Sequence, residues 1–327
     1  MSNTCPAVSV VIPVFNVEEY IERCLHTLFN QTLQDIEFIF VDDGSEDNSI
    51  SILKDVLKSY PERKNRVKIL THTKNRGVAA ARTTGILSAT GEYIIHCDPD
   101  DYVDLSMYET LYNRAKEDDL DFVACDYYIQ TGSSRCEEKT KYGTSHKALL
   151  KKNKGDLLSC PILWDKLVKR KLIIDNHILP YEGYNYGEDL FCVVQILYYS
   201  KTFGKIDKPL YIYCERESSI TRSKKSKGLS RQYIRNIMLI SDFLRKNSLT
   251  DTARYIEIKT KVNTKLLLIP FDEWFVLFKD SNHYLLKLKE WPWKSRIVWW
   301  LALQNKFFYK IIFRLVPTFR FNSVNKN

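Results

Sequence analysis

Apolar residues in the first 130 positions recur in two alternating patterns. Residues 8–14 form a continuous apolar run broken only by Ser9 and Pro13, as in a strand buried on both faces, and residues 17–30 place Ile21, Leu25 and Leu28 at helical spacing. The pair then repeats. Strands are predicted at 36–41, 67–70, 93–97 and 122–128, with helices at 50–57, 78–89 and 107–116 between them. Strand and helix in succession, joined by short connections, predict an α/β fold, a mostly parallel Rossmann-like sheet covered by helices on both faces. After residue 128 the pattern changes. Residues 131–154 are polar and basic and read as a loop or hairpin, PILWDKLVKRKLI from Pro161 reads as a helix, and 188–199 reads as an apolar helix opening on Glu188 and Asp189. A short strand is expected at 208–213, and from Leu229 the chain reads helical to its end.

In such sheets ligands lie beyond the carboxyl ends of the strands, which is where this sequence puts its unusual polar residues. Asp42 and Asp43 end the second strand, and GEYIIHCDPDDY (91–102) ends the fourth in Asp98, Asp100 and Asp101. Two carboxylates held close repel, and a hard divalent cation that takes oxygen ligands and bridges to substrate phosphates is the usual remedy. The alternative is an acidic turn capping the helices that follow. Arg82 lies one turn inside the helix after Asn75, Arg76 and Gly77, within reach of an anionic ligand. Neither GxxxxGK[ST] nor GxGxxG occurs after a strand, so no glycine cradle holds a phosphate. Carboxylates at Glu188 and Asp189 suit a helix N-terminus, and Asp189 there is also placed to act as a general base. Trp164 reads as core or as a ligand platform. The basic stretch after residue 213 reads as a solvated loop or as a phosphate-contacting lid containing Arg216.

Composition narrows the class. With 327 residues, 44% apolar and 27% charged, the chain has ample core for one large domain and an appendage, or for two domains. Its eight cysteines are scattered without a CxxC pair, so a disulfide scaffold is not expected, and the N-terminus has no basic segment of a signal peptide. No apolar run reaches the roughly 18 residues that a membrane span needs. Cytoplasmic residence is therefore expected. The net charge of +9 is concentrated: from Ser281 onward nine Lys or Arg face a single Glu, and five of six tryptophans follow residue 270. That placement argues against a nucleic-acid-binding face. On one helix from 294 to 315, Ile297, Trp300, Leu301, Phe308, Ile311, Ile312 and Leu315 would share a face, with Lys306, Lys310 and Arg314 on another. Such a helix suits an anionic membrane surface, with packing on the domain as the alternative.

Taken in order, SVVIPVFNVEEYIERCLHTLFNQTLQDIEFIFVDDGSEDNS, KNRGVAAARTTG and GEYIIHCDPDDY resemble the family 2 glycosyltransferases of the GT-A fold, over roughly residues 8–128. The resemblance implies a nucleotide-sugar-binding sheet and transfer of a sugar with inversion at its anomeric carbon. It implies that Asp43 holds the uracil of a UDP-sugar with Pro13 and Phe15 beside the base. Asp98 would lie near the ribose or sugar, and Asp100, with Asp98, would carry Mn²⁺ or Mg²⁺ at the diphosphate, Asp101 being a rival ligand. The family's acidic pair corresponds to Glu188 and Asp189, with Asp189 as the base and Glu188 toward the acceptor. WDKL at Trp164 resembles a WNKL pattern near the acceptor. On this reading residues 1–130 bind the nucleotide-sugar, 131–220 bind the acceptor, and 221–327 are a helical extension with a basic tail.

The expected partners are a UDP-sugar, a glycan or lipid-linked glycan acceptor of cell-surface polysaccharide synthesis, and the inner face of the cytoplasmic membrane. A homodimer is left open. Three other readings stand beside this one. They are transfer to a polyprenyl phosphate, a metal-independent glycoside hydrolase using two carboxylates, and a non-catalytic membrane-surface protein.

Overall fold

The structure is a computed structural model that describes residues 5–140, 150, 162–216, 227–264, 271–289 and 291–315. Its contacts divide the chain into two units, residues 1–236 and 237–327.

The first unit is built on the predicted alternation: β1 (Val8–Val14), α1 (Ile21–Phe29), β2 (Ile36–Asp42), α2 (Ser49–Leu57), β3 (Val67–Thr71), α3 (Val78–Ser88) and β4 (Tyr93–His96). There follow β5 (Tyr102–Val103), α4 (Met107–Glu117), β6 (Phe122–Thr131), β7 (Ser134–Glu138), β8 (Lys166–Lys169), α5 (Arg170–Asp175), α6 (Glu188–Tyr199) and β9 (Phe203–Cys214). Among the described residues the sheet order is β3-β2-β1-β4-β8-β6-β9-β5, with β7 paired to β6. The first four strands run parallel, in register Val8↔Ile36 and Val8↔Tyr93, so their carboxyl ends share one edge. Phe15, Asp43, His72 and Asp98 follow those ends.

Every position of β1 and β2 is buried. One face packs Val10, Ile12, Phe38 and Phe40 against Ile21, Leu25, Leu28 and Phe29 of α1. On the other lies α3, whose small residues allow close approach: a Cβ at Gly85 would come within 2.4 Å of Val11 Cγ1. That proximity sets the depth of Arg82. The loop leaving α1 is fastened by Arg63, 3% exposed, which donates to the carbonyls of Phe29 (3.0 Å), Gln31 (2.7 Å), Leu33 (3.3 Å) and Gln34 (3.3 Å).

The helix expected from Pro161 is corrected over its described part. Residues 166–169 are strand β8, antiparallel to both β4 and β6, and only 170–175 are helical. Leu167 and Val168 fill the sheet, and Lys166, 1% exposed, is satisfied by the Asp165 carboxylate and the Ile162 carbonyl, both at 2.5 Å. Spacing that reads as one helix face therefore serves a short strand. Pro161 itself, residues 141–149 and the basic stretch 217–226 lie outside the described residues. The strand expected at 208–213 begins earlier, at Phe203. Described cysteines form no disulfide.

The boundary between the units falls within α7 (Lys227–Lys246), and α8 (Thr250–Thr264), α9 (Phe271–Val276), α10 (Trp293–Gln304) and α11 (Lys306–Leu315) complete the second unit. Its interior holds Glu257, paired to Arg245 (Nη2 to Oε2, 2.9 Å), and Lys261, whose ammonium donates to the Phe275 carbonyl (3.0 Å) and Asn282 (3.2 Å). The single helix expected from 294 to 315 is corrected to two. Asn305 has extended backbone angles (φ −143, ψ 128), and its side chain accepts from the Phe307 N–H (2.7 Å), capping the second helix. Ile297, Trp300 and Leu301 therefore lie on a different helix from Phe308 and Ile311. Trp274 and Trp299 are buried, whereas Trp293, Ile297, Phe307 and Phe308 are exposed.

Candidate active site

The carboxyl edge of the sheet gathers its charge around Arg82. This residue, on the α3 turn that Gly85 brings against β1, is 3% exposed. Its Nη2 meets Asp98 Oδ1 at 3.0 Å, and its Nε lies 3.7 Å from Glu188 Oε1 and 3.6 Å from Asp189 Oδ1. One buried cation thus faces three carboxylates from two separate parts of the chain. Burial disfavours its charge, but Asp189, Asp98 and Glu188 outweigh that and hold the guanidinium ionised. His96, at the end of β4, is kept well below its ordinary range by burial and then by Arg82, so it stays neutral.

With all three carboxylates ionised the cluster would be negative in excess. Glu188 relieves this: burial, and next the Asp189 charge, push it up to about 8. Asp189 is also raised, first by burial. Asp189 Oδ1 is buried without a hydrogen-bond donor among the described residues, while its side chain keeps 18% exposure. A partly exposed carboxylate with elevated basicity, held at the first turn of a rigid helix, is suited to accept a proton.

Asp100 and Asp101 separate clearly. Asp101 is 1% exposed, accepting from Tyr211 Oη (2.8 Å) on one oxygen and the Cys214 N–H (2.8 Å) on the other. It ties the β4 exit to β9, and this corrects its place as a rival metal ligand. Asp100 has a side chain 40% exposed, and its Oδ2 pairs with Arg216 Nη1 at 3.1 Å. Partial burial and the Asp98 charge raise its pKa. Arg216 also lies over the Tyr20 ring, 3.4 Å from its centroid, and donates to the Asp100 carbonyl. The structure therefore docks the expected lid arginine on the expected metal ligand.

Asp43 is placed elsewhere. Only 3% of its side chain is exposed, and the carboxylate accepts from His72 Nδ1 (2.6 Å), Arg76 N–H (2.9 Å) and Gly77 N–H (2.7 Å). It shapes the loop 72–77. Gly77 must be glycine there: φ is +91, and a Cβ would fall 2.1 Å from the Asn185 side chain, which caps α3 by accepting from Ala79 N–H (3.2 Å). The 181–187 loop thereby braces the loop that Asp43 holds, and Arg76 bridges to Glu182 by two 3.0 Å bonds. Pro13 is buried within β1, beyond Val11, the last residue that β4 pairs, and Phe15 is 44% exposed at the strand's exit.

Trp164 and Glu188 do not face an acceptor as described. Trp164, 4% exposed, stacks on Tyr211 with centroids 4.0 Å apart and meets Tyr127 edge-on at 4.9 Å, so the platform reading is corrected to core. Glu188, 7% exposed, is turned to Arg82. Two residues that sequence reading passed over matter here. Tyr211 links Trp164 to both Asp101 and the Asp98 N–H (3.1 Å), and Asn185 joins the two loops. Only the Gly- and Tyr-rich character of 181–187 hinted at the second.

Asp98 and Asp100 each retain a carboxylate oxygen without a partner among the described residues, two positions apart and partly exposed. Hard oxygen donors of this kind fit Mn²⁺ or Mg²⁺, which often complete their shell with water and substrate phosphate. No group of three or more acidic, His or Cys side chains that could cage an ion occurs among the described residues.

A profile of glycosyl transferase family 2 matches residues 9–175. The chain is 33% identical over 223 residues to the uncharacterized glycosyltransferase EpsJ of Bacillus subtilis, a match covering 66% of this chain and 63% of that protein's length. The S. aureus TarS 1-349 structure in complex with UDP-GlcNAc shares its fold at TM-score 0.70 and 17% identity, covering 97% of this chain and 94% of that one. The mannosyltransferase PcManGT from Pyrobaculum calidifontis, in complex with GDP-Man and Mn2+, does so at TM-score 0.57 and 13% identity, covering 95% and 84%.

Glu188 carries a pH signature. Its folded value of about 8 lies above its ordinary 4.5, so the folded chain keeps a proton that the unfolded chain releases. The contribution to stability is fully present below pH 4.5 and is lost as pH rises through 8. Urea midpoints at pH 5 and pH 8.5 are expected to show a decline in the wild type that Glu188→Gln reduces; equal declines in both proteins would contradict the assignment.

Proposed function

The chain belongs to glycosyl transferase family 2, and from that premise we propose that it moves a sugar from a UDP-sugar to a glycan or lipid-linked glycan acceptor in cell-surface polysaccharide biosynthesis, with inversion at the anomeric carbon. The observation that carries this reading is the meeting of Asp98 and Asp189 on Arg82, which joins carboxylates at the sheet's exit to a candidate base. UDP-GlcNAc is the first donor to try, since TarS, which shares the fold, has been crystallised with it.

Inversion in a single displacement requires one base opposite the leaving group, and Asp189 fills that role. The exposed side of its carboxylate, away from the Oδ1 turned to Arg82, accepts the acceptor hydroxyl's proton as the sugar's anomeric carbon is attacked, and Arg82 fixes the carboxylate's direction without supplying a proton. Glu188, protonated near neutrality, lowers the charge that Asp189 must face. Asp98 and Asp100 would hold Mn²⁺ or Mg²⁺, which when bound supplies positive charge for the leaving diphosphate. Arg216, released from Asp100, is positioned to pair with the same diphosphate. Asp43, through loop 72–77, would set the wall against which the base rests beside Phe15.

On this reading the chain is peripheral on the cytoplasmic face of the membrane, held there through the second unit. Exposed Trp293, Ile297, Phe307 and Phe308 are interspersed with Lys294, Arg296, Lys306 and Lys310, the composition of an anionic-interface binder. No helix among the described residues is long and apolar enough to cross a membrane.

Asp189→Asn is expected to retain UDP-sugar binding within about threefold and to lose transfer by about 10³-fold or more, because the isosteric amide cannot take the proton. Unimpaired transfer by that variant would remove Asp189 from the role. For the membrane, sedimentation with vesicles containing phosphatidylglycerol should capture the full chain, and Phe307→Ser/Phe308→Ser should release it. Equal capture of both proteins would locate binding elsewhere.

A further inference from the structure

Beyond the Asp98 to Asp189 cluster, two arginines near the exit of β4, Arg23 and Arg135, are left unused by sugar transfer at Asp189. Arg23 of α1 sets its guanidinium carbon 4.3 Å from the Tyr102 ring centroid, and Arg135 of β7 lies 5.6 Å from the same centroid and 5.9 Å from that of Tyr128. Both arginines are exposed. Arg135 is held in place by donating to Tyr102 Oη (2.6 Å) and to Gln130 Oε1 (3.1 Å), while Tyr102 donates to Gln130 (2.5 Å). Arg23 donates to the Asp100 carbonyl (3.2 Å), as Arg216 also does. Arg23 and Arg216 thus meet at the Asp100 carbonyl, and Arg23 and Arg135 meet at the Tyr102 ring.

Their neutralisation is incomplete. Arg216 is paired with the Asp100 carboxylate, but neither Arg23 nor Arg135 has a carboxylate within ion-pair distance among the described residues. The Glu215 carboxylate at the end of β9 accepts from Thr131 Oγ1 (2.6 Å). Ring faces attract each guanidinium, yet two cations on one tyrosine repel each other, and the side-chain bonds to Gln130 and Tyr102 add order without adding negative charge. A tetrahedral phosphate accepts from two guanidinium forks at once and removes that repulsion. Arg23 touches Asp100 only at its carbonyl and Arg135 does not touch it, so these two stand apart from the carboxylates assigned to the donor's diphosphate.

We propose that the Arg23 and Arg135 rim over Tyr102 binds a phosphate group of the acceptor, which places the acceptor in the class of phosphate-bearing chains, whether the phosphate belongs to a polyol or glycan backbone or to a lipid carrier. This rests on the transferase reading above and specifies its acceptor.

The test is calorimetric titration of the full chain at low salt with a poly(glycerol phosphate) oligomer, citronellyl phosphate, an oligogalacturonate and dextran, with UDP in the presence of Mn²⁺ as the control. The wild type is expected to bind a phosphate probe at least tenfold more tightly than dextran or oligogalacturonate, with affinity falling as salt rises. Arg23→Gln/Arg135→Gln is expected to lose at least tenfold for that probe while UDP affinity stays within twofold. Loss confined to the oligomer assigns the phosphate to a polymer backbone, and loss confined to citronellyl phosphate assigns it to a lipid carrier. Unchanged phosphate binding in the variant would overturn the proposal and leave the transferase reading intact, since UDP still binds. A parallel fall in UDP affinity would also overturn it, by giving the arginines to the donor, and tighter binding of oligogalacturonate would replace phosphate with carboxylate.

Discussion

A single buried guanidinium is the constraint on which the site depends. Arg82 has almost no access to water, and its charge is tolerable only because Asp98, Glu188 and Asp189 converge on it. The converse also holds. Without Arg82, three carboxylates would share a dry region, and breaking a buried pair of this kind costs roughly 3–5 kcal/mol. The small residues of α3 that seat it against β1, the turn that ends β4 and the glycine-led start of α6 are parts of one electrostatic solution. The geometry of the candidate site follows from that solution: the same interaction that makes the buried charge tolerable fixes the direction of the candidate base.

Around that centre the loops are set by buried and half-buried polar residues. Asp43 fixes 72–77, Asn185 braces it from the 181–187 loop, and Gln232 in turn donates no more than its position, its Oε1 accepting from the Asn185 N–H at 3.0 Å. On the other side Tyr211 carries the rigidity of the aromatic stack under Trp164 to Asp98 and Asp101. The two sides of the site are thereby held by different parts of the same unit. Among the residues of the site, Asp98, Asp100, Arg216, Phe15 and one edge of Asp189 keep exposure toward a ligand.

Much of this was legible before any coordinates. Seven successive elements through β4 follow from periodicity because a parallel sheet buried on both faces leaves long apolar runs that little else produces. The acidic strand ends and the Glu188 and Asp189 helix start were visible for the same reason, as charges where burial begins. What failed did so physically. Lys166 to Lys169 is too short for periodicity to separate strand from helix, and its outcome depends on two distant neighbours, β4 and β6. The tail's break hinges on one asparagine cap that a helical wheel ignores. Asp98, Asp100 and Asp101 look alike in sequence, and only tertiary partners separate a buried strut from exposed candidates. Arg82 was placed near an anion, but that the anions are the protein's own carboxylates is a fact of three dimensions.

The most direct test is titration of UDP and UDP-GlcNAc into the protein by calorimetry, with and without Mn²⁺, for the wild type and for Asp100→Ala. If the carboxyl edge of the sheet is a nucleotide-sugar site, binding will require the metal and will disappear in the variant. Failure of the folded wild type to bind either nucleotide with Mn²⁺ present would contradict the assignment and leave the Arg82 cluster as a purely structural knot.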